Sequence, residues 1–156
     1  MKRFAPDGRD SARVPLQGRR CVLTCPAMDA IPTTDYLRIW ADESGVSHFE
    51  DVTLPFDVLP AEPGVAELWW SHGVDVDRVH FLTVKADDQV PDWHCGPRRQ
   101  FVVFLTGWVQ LTAGDGEVRR LPAGSTVLVE DLTGDGHVTE HEPGDQRVLV
   151  IPLAPA

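Results

Sequence analysis

An all-β protein is what this chain encodes. Short apolar runs alternate with polar residues at a period of two, the spacing of a half-buried strand. Thirteen glycines and thirteen prolines punctuate the 156 residues, so no helix-forming stretch survives uninterrupted. Turn signals recur at close spacing, which predicts about eight to ten short strands in a single sandwich or barrel.

Residues 1–33 read as an irregular amino-terminal extension, broken by Pro6, Pro15, Pro26 and Pro32. The folded domain then runs from 34 to 156. Asp35 to Trp40 and Val46 to Leu54 form a hairpin across the turn DESG. Pro55, Pro60 and Pro63 interrupt the chain after this hairpin. Ala66 to Gly73 is a short turn or strand, and Asp77 to Ala86 is a strand. Pro91 and Pro97 bracket His94, which implies an irregular entry into the next strand. The run from Phe101 to Ala113 pairs across Gly114-Asp115-Gly116 with Glu117 to Leu121. Ser125 to Asp131, Gly136 to Glu142 and Arg147 to Leu153 complete the set.

Bulk properties exclude several function classes. The formal charge of −10, from 24 acidic and 14 basic residues, opposes binding to nucleic acid or an anionic membrane. No apolar run approaches the ~20 residues of a membrane span. The basic start MKRFAPDGRDSARVP lacks the apolar stretch of a secretory signal. Three cysteines, Cys21, Cys25 and Cys95, suit reduced thiols and a cytoplasmic location. Cys21 and Cys25 form a lone C-x3-C without the second pair a zinc site needs. Cys95 adjoins His94 and so points to the opposite strand face.

The chemistry-bearing candidates cluster late in the chain. His94 stands at the start of one strand and His137 at the start of another, after the turn-forming DLTGDG. A fold that joins these strands would bring both imidazoles into one cavity as catalytic groups. Gln100 and Phe104 share a strand face with Val102 and are expected to meet a substrate there. Trp93, beside His94, is a further substrate contact at the cavity mouth. His48 and Glu50 share a face at i, i+2, with Arg38 and Trp40 opposite them across the hairpin, so these four are read as added cavity residues. His141 is followed by EPGD, which places it towards solvent. Arg98 and Arg99 read as a surface pair; an inward Arg98 would need a carboxylate, of the protein or of a ligand. His72 and His80 have no supporting context.

From about Val79 to Pro152 the chain resembles the cupin superfamily. In the first cupin motif, G-x5-H-x-H-x3,4-E-x6-G, His94 takes the first histidine, Gly96 the second, Gln100 the glutamate and Gly107 the closing glycine. The second motif opens at Gly124. His137 takes its histidine, given two extra loop residues, and His141 falls where the asparagine stands. The resemblance implies a single jelly-roll β-barrel whose interior binds a small molecule, in a homodimer. Gly96 and Gln100 replace two of the usual metal ligands, so the expected site works without metal. Histidine acid/base chemistry of a lyase, isomerase or cyclase kind follows. If iron, manganese, nickel or zinc is bound, His48 or Glu50 supplies a third ligand beside His94 and His137. The alternatives are an oxygenase with that added carboxylate and a non-catalytic binding or sensing barrel.

Overall fold

A computed structural model of the chain describes residues 35–155. The expected extension over 1–33, with Cys21 and Cys25, lies outside the described residues. Twelve strands are described: β1 (Tyr36–Ala41), β2 (Ser47–Val52), β3 (Phe56–Leu59), β4 (Leu68–Ser71), β5 (His80–Lys85), β6 (Trp93–His94), β7 (Gln100–Phe104), β8 (Trp108–Thr112), β9 (Val118–Pro122), β10 (Thr126–Glu130), β11 (His137–His141) and β12 (Asp145–Pro152). Among the described residues no helix is long and apolar enough to cross a membrane.

The strands form a six-stranded sheet in the order β2-β1-β10-β7-β12-β5, a four-stranded sheet in the order β6-β11-β8-β9, and the separate hairpin β3-β4. The neighbours are antiparallel except β1 and β10, which run parallel. The two larger sheets face each other. Leu37, Ile39, Phe104, Val127, Val129 and Val148 come from the first and meet Val109 and Leu111 of the second in one core. Each of these residues sits at an alternate strand position, so the period-two pattern delivers a dry inner face.

Among the described residues the sheets do not close into a barrel. The larger sheet ends, among the described strands, at β2 and β5, the smaller at β6 and β9, and no ladder between described residues joins these edges. The chain passes between sheets through loops instead. One such passage splits the apolar run 101–113, which the sequence presents as one strand. Gly107 takes φ +71°, a left-handed conformation that suits glycine. A Cβ there would lie 2.8 Å from Glu142 Oε2. β7 therefore ends in one sheet and β8 begins in the other. β3 is a further departure: the proline-rich stretch after Pro55 still pairs Phe56–Leu59 with Leu68–Ser71.

Candidate functional site

β11 opens on His137 because the residue before it is a glycine. Gly136 has φ +74°, and a Cβ on it would lie 2.1 Å from the carbonyl oxygen of His94. Without that side chain, β11 starts flush against the two-residue strand β6. His137 and His94 become directly opposed partners in the ladder. Opposed residues in an antiparallel pair share a face. Their rings accordingly lie 4.6 Å apart, centroid to centroid, at 53°. The structure thus brings His94 and His137 together.

A third residue completes the group. Val127, Val129 and Asp131 alternate along β10 and just past its end, so Asp131 faces inward among apolar neighbours. It is fully buried, and His137 is 6% exposed. Asp131 Oδ2 lies 2.6 Å from His137 Nδ1. A carboxylate only accepts hydrogen bonds, so the Nδ1–H of His137 donates and its Nε2 is left with a free lone pair. His94 is arranged alike: its Nδ1 lies 3.0 Å from the carbonyl oxygen of Asp92 and donates to it, again leaving Nε2 free. The second oxygen of Asp131, Oδ1, is buried with no hydrogen-bond partner among the described residues.

These groups open on a cavity of about 240 Å³ between the two sheets. That is somewhat below the roughly 300–1,000 Å³ typical of drug-sized ligand sites. Its walls are mostly aliphatic, with Phe104 among them. His94, Gln100, His137, Thr139, His141 and Gln89 supply the polar points. Gln100, with 9% exposure, hydrogen-bonds through its amide to no described residue. His141, expected towards solvent, instead lines the cavity, because positions 137, 139 and 141 share the inner face of β11. Its Nδ1 lies 2.9 Å from Gln146 Oε1.

The other sequence candidates stand elsewhere. With Leu37 and Ile39 in the core, Arg38 and Trp40 project from the outer face of β1, and His48 and Glu50 oppose them there. Arg38 Nη1 contacts Glu50 Oε2 at 2.7 Å, and its Nε contacts Glu130 Oε2 at 2.5 Å. Arg99 pairs with the same Glu130. Burial pushes the Glu130 carboxyl up, but the hydrogen bonds and charges of Arg38 and Arg99 outweigh it and hold the group below its ordinary range. His48 is gripped by Asp42 and Asp115, at 3.2 and 2.7 Å. Trp93 alternates outward from His94 and is 48% exposed. None of Arg38, Trp40, His48, Glu50 or Trp93 lines the cavity.

No family model and no curated protein matches this chain.

The donor set does not suit the metal that a cupin resemblance implies. His94 and His137 offer two imidazole nitrogens, and Gln100 offers only a neutral amide. Asp131 is engaged with His137. Among the described residues, no three His, Cys, Asp or Glu side chains group to hold a metal ion. Nor is there room for a side chain at position 96, where a Cβ would lie 2.4 Å from Val129 Cγ1. Core packing from β10 fills the space where a second histidine would stand.

Asp131 and the inward His141 were missed in the sequence, as were Gln89 and Thr139 of the cavity wall. Asp131 left a usable signal. In STVLVED the alternation that turns Val127 and Val129 inward also turns Asp131 inward, and a carboxylate on an apolar face needs a partner. Nothing in the sequence said that the partner lay six residues on.

Proposed function

We propose that the protein is a small-molecule enzyme of cupin-like, jelly-roll type, using histidine acid/base chemistry in the cavity between its sheets. The observation that supports this reading best is the buried Asp131–His137 pair, which opens on a largely aliphatic cavity. In it the carboxylate fixes the imidazole's tautomer and orientation, and stabilises the imidazolium that forms when Nε2 takes a proton. The proton comes from a carbon or hydroxyl of the bound molecule. The electron pair left behind moves to a neighbouring carbonyl oxygen or expels a leaving group, which is lyase, isomerase or cyclase chemistry. His94, exposed and in contact with His137, passes the proton to solvent or orients the substrate. Gln100 and Phe104 contact the substrate.

The oxygenase alternative needs a carboxylate beside the two histidines, and Glu50 on the outer face does not provide it. A non-catalytic binding protein draws on the same aliphatic walls and is the reading that remains if the base does nothing. In either case the protein works in the cytoplasm as a homodimer, and the edge position of β5 among the described strands supports the dimer.

Hydrogen–deuterium exchange tests the chemistry. In D₂O, small ketones and aldehydes of up to about ten non-hydrogen atoms are expected to exchange the hydrogen next to their carbonyl faster with the protein than without it, as nuclear magnetic resonance would show. His137→Gln should reduce that rate by about 10²–10⁴-fold. Exchange unaffected by His137→Gln and Asp131→Asn would leave the binding protein as the surviving reading.

A further inference from the structure

The cavity does not end at Gln100. Leu82, Pro97, Gln100 and Val150 form walls of both the cavity and a neighbouring surface groove. That groove is also lined by His80 and Arg98, two residues to which the proposed chemistry gives no part.

Arg98 is set apart by its company. Among the described residues, Arg38, Arg78, Arg99 and Arg119 each pair with a carboxylate, and Arg120 stacks on Trp108. Arg98 has no ion pair with any described residue, although the chain carries 24 acidic side chains. Arg147 borders neither the cavity nor the groove. The neighbouring Arg99 turns away to Glu130. Next along the wall stands Gln100, a residue 9% exposed whose amide hydrogen-bonds to no described residue and borders both the cavity and the groove. An amide at such a boundary has its donors and acceptor available to a ligand. An aliphatic chamber, an available amide at its wall and a guanidinium beyond it without an ion pair among the described residues describe one kind of guest.

We propose that the ligand is a small monocarboxylic acid, its carboxylate in the groove between Arg98 and Gln100 and its apolar body in the cavity. The guanidinium fork matches a carboxylate, donating to its two oxygens side by side. The Gln100 amide nitrogen donates a further bond, and His80 borders the same groove. A single cation suits a single negative charge, and the chain's net charge of −10 opposes a more highly charged guest. This inference rests on the reading of the cavity as a small-molecule site and assigns the class of molecule.

Three probes of equal chain length test it by calorimetry on the full chain: hexanoate, 1-hexanol and hexylamine. Hexanoate should bind about tenfold or more tightly than either of the others, the scale of one charge-assisted bond. Arg98→Gln should abolish that preference while leaving 1-hexanol binding as it was, and Arg98→Lys should keep part of it. Equal binding of hexanoate and 1-hexanol, or a preference that survives Arg98→Gln, overturns the carboxylate assignment and leaves the cavity reading standing. Failure of all three probes to bind removes both.

Discussion

Asp131 gives up the hydration of a charge and regains one hydrogen bond, to His137, while its Oδ1 has none among the described residues. That imbalance makes the two halves of the pair unequal. Removing the histidine strands a buried carboxylate, a loss of about 3–5 kcal/mol. Removing the carboxylate strands only an imidazole N–H, a loss of about 1–3 kcal/mol. Urea unfolding should therefore find His137→Leu less stable than Asp131→Leu, and the reverse order would show that the carboxylate is not charged there. At this scale the sequence was partly readable. Turn glycines before His137 and the alternation around Gln100 pointed to the inner face correctly. Arg38, Trp40, His48 and Glu50 were misplaced because alternation within a hairpin tells which residues share a face, not which face meets the core. Leu37 and Ile39 decide that by burying themselves.

Between strands, His48 acts as a clasp. Its two ring nitrogens reach Asp42, in the β1–β2 turn, and Asp115, in the β8–β9 turn, and so tie an end of one sheet to an end of the other. Ser47 adds to the tie, donating to the Gly136 carbonyl at 2.6 Å and accepting from Gly114 N at 2.7 Å. The hydrogen bond to Asp42, with that to Asp115, raises the His48 pKa above its ordinary value. The hydrogen bond to His48 lowers Asp42, and the Glu117 backbone N–H with His48 lowers Asp115. A raised histidine stabilises the fold below its unfolded pKa of about 6.5 and loses that contribution as pH rises through the folded value. The lowered carboxylates stabilise above about 3.9 and lose it as pH falls through their folded values. The clasp is thus strongest from about pH 4 to 6.5. The melting-temperature gap between the protein and His48→Gln should be wider at pH 6 than at pH 9, and a gap independent of pH would remove the charge from the argument. The hairpins at this scale were legible, because Asp-Glu-Ser-Gly and Gly-Asp-Gly are local signals. The break at Gly107 was not, because what crowds it, Glu142 and Gln146, comes from much later in the chain.

For the whole molecule, all-β character followed from punctuation and period alone, whereas the choice between a closed barrel and two facing sheets depended on long-range pairing that no local pattern encodes. Among the described strands the open arrangement leaves β5 at an edge, with Phe81 74% exposed and Leu82 40% exposed. An apolar strand with a free ladder edge is a template for a second chain. Light scattering across a dilution series should find the proposed dimer, and Phe81→Lys should shift it towards monomer; a monomer throughout would discard it. The single parallel pairing has a consequence of another sort. Leu37 and Ile39 of β1 lie against Val127 and Val129 of β10, and the ion pair from Arg38 to Glu130 spans 92 positions. A two-stranded ribbon is marginal by itself in water. During synthesis β1 and β2 leave the ribosome well before β10, the strand that secures them. The first part of the sheet to be made is among the last to be held in place, so assembly has to wait for a distant loop to close.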